Sequence, residues 1–359
     1  MKKLIFFFSM FALFFLAGCG NHGTDNNGTV NNDTEMGISD STLPYGNADW
    51  MNTISDDKSI ADITIPGTHD SAAYQSKNCP HSITLDQTYN ISDQLEMGVR
   101  SLDLRVWING DGYAGMYHGE CYLNQSFDHV IIAIKNFLQD HSSEAVMITI
   151  KQETGWPNKH KNLSESDFGQ KIYEKIKGNG LTHFHLDGDV LPTLEEVRGK
   201  IVVFRRFKYK DHDLGYYLSW GDMTTGKPYS HSGYDYYVQD WYHVHDTKSD
   251  YDNKISYAKD TIIRAHDYGE DGTLYLNFLS GECVKCVDSN RKISQGIQPS
   301  VETFIAHRQH LGKAGVIFIN FAGDPDITPN LVNLIVQMNL QPPPPGPTPD
   351  PGPSPTPST

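Results

Sequence analysis

Two histidines, an arginine and two aspartates stand in three short pieces of this chain. They are His69-Asp70 within Ile63-Thr64-Ile65-Pro66-Gly67-Thr68-His69-Asp70-Ser71, Asp103-Leu104-Arg105, and His118 within Tyr117-His118-Gly119-Glu120. Cleaving a phosphodiester through a neighbouring hydroxyl needs a base for that hydroxyl's proton, a cation for the charge on the phosphoryl oxygens, and an acid for the departing alcohol. Two imidazoles and a guanidinium meet those needs. Histidine's ordinary pKa of about 6.5 lets one ring start neutral and the other protonated. Arginine stays charged and presents a planar fork that matches two phosphate oxygens.

Strands must carry these groups. An alternating apolar run reaching Pro66-Gly67 predicts a strand over 62–65 that leaves His69 and Asp70 in a turn at its C-terminal end. Barrel enzymes keep their chemistry at that end of their strands. Asp103 and Arg105 are two residues apart in an extended run over 99–106, so they share a face, and the carboxylate can orient the guanidinium. Further strands are expected over 145–151, 200–206, 236–240, 273–278 and 315–321. Helices are expected over 127–139, 165–177 and 328–338. Ser164-Glu165-Ser166-Asp167 has the form of a capping box, and Val130, Ile131, Ile134, Phe137 and Leu138 recur at helical spacing as core. Alternating strands and helices indicate an α/β chain built as a single (β/α) TIM-type barrel. Seven strands are clear. An eighth comes from 115–118, or else the barrel is distorted and incomplete.

The 359 residues suffice for one large core plus tails, and a formal charge of −15 argues against nucleic acid and against electrostatic adhesion to anionic lipid. Lys2-Lys3 followed by the apolar run from Leu4 to Leu16 reads as a signal peptide over 1–18, too short to span a bilayer comfortably. Leu16-Ala17-Gly18-Cys19 resembles a bacterial lipobox, with Cys19 as the lipidated residue. Such an anchor would hold an exported protein at the cell-envelope membrane. A polar spacer over 19–48 and a proline-rich tail or linker over 341–359 flank the catalytic region, 49–340. Four cysteines remain, Cys79, Cys121, Cys283 and Cys286. Structural disulfides are favoured over a zinc or redox half-site at Cys283-Val284-Lys285-Cys286, with Cys79 to Cys121 one possible pairing.

These pieces, with Ile148-Thr149-Ile150-Lys151 and Tyr237-Val238-Gln239-Asp240-Trp241-Tyr242, resemble the bacterial phosphatidylinositol-specific phospholipases C from about residue 50 to 340. Pro-Gly-Thr-His-Asp-Ser is the most specific motif. The resemblance implies His69 as general base for the inositol 2-hydroxyl, His118 as general acid for the diacylglycerol oxygen, and Arg105 as the phosphate clamp. It also implies Asp70 supporting His118 and Asp103 fixing Arg105. Lys151, Arg206, Asp240 and Tyr242 match the positions that hold the inositol ring, although one residue of slip would exchange Arg206 for Arg205. The implied substrate is phosphatidylinositol or a related inositol lipid, with no cofactor and no metal. One residue departs from the pattern. Asn320 stands where the family commonly has an aspartate behind the base, so His69 is expected to be less basic and turnover slower.

Two other functions compete. A metal-dependent glycerophosphodiester phosphodiesterase or calcium-requiring phospholipase C would gather carboxylates around a hard cation, where this chain has Arg105. A lipidated surface protein that binds inositol or glycan headgroups without turnover is the second. The segment 211–232, rich in aromatic residues and glycine, reads as a rim or membrane-contact loop or as an ordinary loop.

Overall fold

The computed structural model describes residues 47–154, 162–269, 271–283 and 289–340. The signal peptide, Cys19, most of the spacer, Cys286 and the proline-rich tail lie outside the described residues. No described helix is long and apolar enough to cross a membrane.

The strands are β1 (Ile65–Thr68), β2 (Ser101–Ile108), β3 (Ala114–His118), β4 (Cys121–Ser126), β5 (Val146–Gln152), β6 (Phe184–His185), β7 (Ile201–Arg205), β8 (Tyr216–Tyr217), β9 (Thr224–His231), β10 (Tyr234–Asp240), β11 (Leu274–Phe278) and β12 (Val316–Ile319). The helices are α1 (His81–Thr84), α2 (Ile91–Met97), α3 (Phe127–Asp140), α4 (Glu165–Gly178), α5 (Leu194–Val197), α6 (Lys248–Tyr268), α7 (Ser289–Ala306) and α8 (Leu331–Gln337). Hydrogen-bonded neighbours run β6-β7-β5-β2-β1-β12-β11-β10-β9; β1, β2, β5, β7, β10, β11 and β12 are the longer parallel staves, and the two-residue strands β6 and β8 also lie parallel to β7. Among the described residues no ladder joins β6 or β8 to β9 or β10. The sheet is therefore a curled, incomplete barrel.

Side-chain alternation sorts the staves into two cores. Ile65, Met147, Val202, Phe204, Tyr236, Val238, Leu274, Leu276, Val316 and Phe318 fill the interior. Leu102, Leu104, Val106, Ile148, Ile150, Ile201, Val203, Ile317 and Ile319 pack outward against helices such as α3 and α7. Val130, Ile131, Ile134, Phe137 and Leu138 are all buried on α3, and Ser126 caps that helix by accepting from His129 N at 3.2 Å. Ser164 is the N-cap of α4, accepting from Asp167 N at 3.1 Å.

Two expectations need correction. The first strand is not 62–65. Residues Ile60–Asp62 form a 3-10 turn, and β1 runs through Pro66-Gly67. Pairing with β2 begins only at Gly67 opposite Ser101, so the missing N–H of Pro66 leaves no ladder bond unmade. A Cβ on Gly67 would lie 3.0 Å from the Phe318 ring and 3.2 Å from Ser101 Cβ, which is why glycine fits this tightly packed stave. The second correction concerns 115–118, which is not an eighth stave. It belongs to β3, antiparallel to β2, because the short turn after Ile108 returns the chain along the strand it has just left. Half of 211–232 is also strand, since β9 pairs antiparallel with β10.

Tyrosines cross the open seam. Tyr234 Oη donates to Tyr217 O at 2.6 Å, Tyr236 Oη donates to Ser219 O at 2.7 Å and accepts from Ser219 N at 3.1 Å. The rings of Tyr216 and Tyr234 meet edge to face, 5.4 Å between centroids.

Candidate active site

The interior parity of each stave, continued past its C-terminal end, places polar residues in the barrel mouth. Ile65 and Gly67 lead to His69; Ser101 leads to Asp103 and Arg105; Met147 and Thr149 lead to Lys151. In the same way Phe204 leads to Arg206, Val238 to Asp240 and Phe318 to Asn320. Register aligns them, with Arg105 opposite Lys151 in β5, and Thr68 opposite Ile319, one step before His69 and Asn320. Arg206 therefore faces the mouth and Arg205 does not. The Arg206 guanidinium lies 3.8 Å from the centre of the Trp220 ring, whereas Arg205 lies over Tyr217 at 5.3 Å.

A cavity of about 460 Å³ collects His69, Asp70, Arg105, His118, Lys151, Arg206, Asp240 and Tyr242. Asp103 and Asn320 are buried directly beneath, each 1% exposed. Arg105 Nη2 lies 2.9 Å from His69 Nε2, while its Nε and Nη2 donate to Asp103 Oδ2 at 3.2 and 3.1 Å. Asp70 reaches between the pieces. Its Oδ1 is 3.3 Å from Arg105 Nε and its Oδ2 is 3.7 Å from His118 Nε2. The turn that aims it there is tight, with Asp70 at φ 43°, in the left-handed region that aspartate tolerates better than most side chains. Gln87 holds the underlying backbone by donating to both His69 O at 2.7 Å and Ile319 O at 2.9 Å.

The two histidines differ in state for physical reasons. Asn320 Nδ2 donates to Asp86 Oδ1 at 2.7 Å, which turns Asn320 Oδ1 toward His69 Nδ1 at 3.0 Å. His69 thus keeps its proton on Nδ1 and presents a lone pair on Nε2. Burial and the Arg105 charge push its pKa down to about 3, so the ring is neutral. His118 Nδ1 donates to Thr84 O at 2.9 Å, leaving Nε2 toward Asp70. Burial works against its charge, but Asp70 and Asp86 outweigh it and raise the pKa to about 9. Burial would also raise Asp103, yet Arg105 and His69 bring it down to about 2. The neighbouring Arg105 charge, together with burial, lowers Lys151 to about 8.

Asp240 and Tyr242 line the same cavity from the end of β10, and Lys151 from the stave beside Arg105. Trp220 Nε1 donates to Asp240 Oδ2 at 2.9 Å, and Tyr242 Oη donates to Asp222. Several lining or supporting residues escaped the sequence reading. Glu153, 3.8 Å from Arg105 Nη1, and Ser280 extend the parity of β5 and β11 by one more step, so continuing the alternation would have found them. Asp86 and Trp220 sit in irregular segments where no periodicity points at them.

His69, Asp70 and Asp86 bring three potential ligand atoms within 4.8 Å of one another. Arg105 shares that space as a fixed positive charge, raised well above its ordinary pKa by Asp103 and Asp70 despite burial. A hard dication would have to displace it. Cys79 and Cys121 are disulfide-bonded, joining the segment before α1 to the β3–β4 hairpin; Cys283 is also disulfide-bonded.

Comparison with known proteins places the chain beside bacterial phospholipases. Residues 63–207 match the model of the phosphatidylinositol-specific phospholipase C X domain. A Staphylococcus aureus (strain Newman) protein named 1-phosphatidylinositol phosphodiesterase is 27% identical over 286 residues, 76% of this chain and 88% of the relative. A Listeria monocytogenes protein of the same name is 25% identical over 282 residues, 76% of this chain and 80% of the relative. The fold matches a solved structure of the Staphylococcus aureus phosphatidylinositol-specific phospholipase C with a TM-score of 0.71 at 24% identity, over 83% of this chain and 99% of that one. For the Listeria monocytogenes phospholipase the TM-score is 0.65 at 22% identity, over 82% and 99%. Over residues 63–207 the chain thus matches the phosphatidylinositol-specific phospholipase C X-domain model, and over about three quarters of its length it is similar to the Staphylococcus and Listeria proteins.

Proposed function

We propose that this protein cleaves phosphatidylinositol, without a metal ion, to diacylglycerol and inositol 1,2-cyclic phosphate. One observation carries the reading: Arg105 lies 2.9 Å from His69 and shares the Asp70 carboxylate with His118, all three facing one cavity. His69 Nε2 takes the proton of the inositol 2-hydroxyl as that oxygen attacks phosphorus. Arg105 leaves His69 and binds the phosphoryl oxygens, and His118 Nε2 gives its proton to the diacylglycerol oxygen as the P–O bond breaks. One proton is taken and one is given, so the reaction closes without water as nucleophile, and formally it is a lyase step. Lys151, Arg206 and Asp240 hydrogen-bond the ring hydroxyls, and Tyr242 packs on the sugar face.

The same reading includes removal of 1–18, lipidation of Cys19, a spacer over 19–48, a catalytic unit over 49–340 and attachment at the outer side of the envelope membrane. The acid cluster of His69, Asp70 and Asp86 is what a metal-dependent phosphodiesterase would use, and EDTA separates the two. Phosphorus NMR of phosphatidylinositol vesicles with enzyme should show the cyclic phosphate at the same rate with and without EDTA. Activity recovered only on adding calcium would replace this reading with the metal-dependent one. Binding of vesicles with no cyclic product would favour a headgroup-binding lipoprotein.

A further inference from the structure

Asn320 can fix the tautomer of His69 but brings no charge to offset the imidazolium that forms when His69 takes a proton. Behind it lies Asp86, 1% exposed. Asp86 Oδ1 accepts from Asn320 Nδ2 at 2.7 Å, and Oδ2 lies 3.6 Å from His118 Nδ1 with no hydrogen-bond donor of its own. The backbone clamps the residue in place, Asp86 N donating to Ala73 O at 2.9 Å and Phe321 N donating to Asp86 O at 2.6 Å. A single carboxylate is thus held between the two histidines, through an amide to one and directly beside the other.

We propose that Asp86 is the positioning residue that supplies charge to both histidines, standing one residue further from His69 than an aspartate at position 320 would. The inference rests on the two-histidine reading above. When His69 Nε2 takes the hydroxyl proton, Nδ1 keeps its own hydrogen in the bond to Asn320 Oδ1. No proton passes through the amide; its dipole, anchored on the Asp86 carboxylate, stabilises the new imidazolium. When His118 Nε2 gives its proton to the alcohol oxygen, Nδ1 keeps its hydrogen on Thr84 O, and the next proton comes from solvent. The charged groups facing Asp86 are His118 from β3, Asp70 from the turn after β1, and Arg105 and Asp103 from β2. Burial drives the Asp86 carboxyl up to about 7, with the two cations opposing and the two aspartates reinforcing.

The test is a pair of variants. Asp86→Asn preserves shape and should lower kcat about 10- to 100-fold with little change in KM, as expected for a charge acting across one intervening group. It should also move the basic limb of the pH–rate profile to lower pH, because His118 loses one of the carboxylates that favour its charge, leaving Asp70 and the weaker Glu153. Asp86→Asn combined with Asn320→Asp returns a charge to His69 alone, so kcat should recover while the basic limb stays displaced. A purely structural role for Asp86 would not separate these two effects. Imidazole 15N NMR reads the same contact without substrate: the His118 titration midpoint should fall in both variants. An unmoved midpoint in Asp86→Asn, or a double variant as slow as the single one, overturns the proposal. Wild-type protein that makes no cyclic phosphate would instead defeat the functional reading, and the NMR midpoint would still decide the Asp86 contact.

Discussion

Two arginines on one stretch of chain lead to opposite ends of the barrel. Arg100, just before β2, is wholly buried, and its donors are used up within the protein. It donates from Nε to Glu144 at 2.9 Å, from Nη1 to the carbonyls of Leu95 and Val99 and from Nη2 to the carbonyl of Ala48. Arg105, near the end of the same strand, faces three carboxylates, Asp70, Asp103 and Glu153, but its side chain is 14% exposed and borders a cavity. At the N-terminal end, charge locks chain segments together and has nothing left to offer. At the C-terminal end the guanidinium is surrounded by negative charge yet keeps a face toward ligand space. The composition of an ion pair does not separate structure from chemistry; what separates them is whether a donor remains for something outside the protein.

The largest effect should come from the two imidazoles. His69→Ala and His118→Ala should each slow release of cyclic phosphate by about 10²–10⁴-fold, the usual contribution of one acid or base. Binding of a soluble inositol phosphate should persist, because Lys151, Arg206, Asp240 and Tyr242 remain. Equal loss of binding and turnover, measured by calorimetry beside the kinetics, would mean that the histidines hold the ligand and do not transfer protons.

Substituting the arginines tests the contrast directly. Arg100→Leu strands Glu144 without its cation and should destabilise the fold by about 3–5 kcal/mol, read by urea denaturation, while the surviving folded fraction keeps its specific activity. Arg105→Lys keeps charge near Asp103 but loses the fork, and should cost about 10²–10³-fold in kcat with a smaller change in stability. If the two variants exchanged phenotypes, the division between a structural and a chemical end would fail.

Much of this division is legible in the sequence, and the reason is periodicity. His69, Arg105, Lys151, Arg206, Asp240 and Asn320 each stand in or just past a run that reads as a strand, whose period of two relates them to the residues before them but leaves Arg205 and Arg206 interchangeable by one residue of slip. Asp70 sits in a short turn and His118 ends β3 just before one, each with a distinctive pattern around it. Asp86 has neither signal. Its place beneath Asn320 results from a contact across 234 residues of chain that no local rule encodes. The first strand was displaced by three residues because Pro-Gly reads as a turn, whereas close packing against Phe318 and Ser101 makes it a strand. An incomplete barrel is among the sequence expectations, but the place of the opening, between β8 and β10, is not legible, since a barrel lacking a ladder there and a barrel with one have the same stave pattern.

Reduction probes the acid side more gently. The disulfide between Cys79 and Cys121 ties the segment leading into α1, which carries Thr84 O, to the hairpin that carries His118. Closing a loop over a sequence separation of 42 residues should stabilise the fold by about 2–4 kcal/mol. Cys79→Ser with Cys121→Ser should lower the melting temperature and reduce kcat more than it raises KM, because the ring of His118 loses a fixed acceptor before any inositol contact is disturbed. A variant with a lower melting temperature and unchanged kcat would show that Thr84 O holds its position without the bridge.

The smallest effect belongs to the seam, where the barrel is held by side chains in place of a ladder. Tyr234→Phe removes the hydroxyl that donates to Tyr217 O and leaves the edge-to-face contact with Tyr216 intact. Losing one such bond should cost about 1 kcal/mol of stability. No hydrogen bond or ring contact of Tyr234 involves His69, Arg105 or His118, so kcat should hold. Trp220, Arg206 and Asp240 border the same opening on its cavity side, and a looser seam should reach them first. The expected signature is a modest rise in KM for the headgroup with turnover preserved. If turnover falls instead, the open side and the acid–base side are coupled through the interior, and the barrel works as one rigid unit despite its missing ladder.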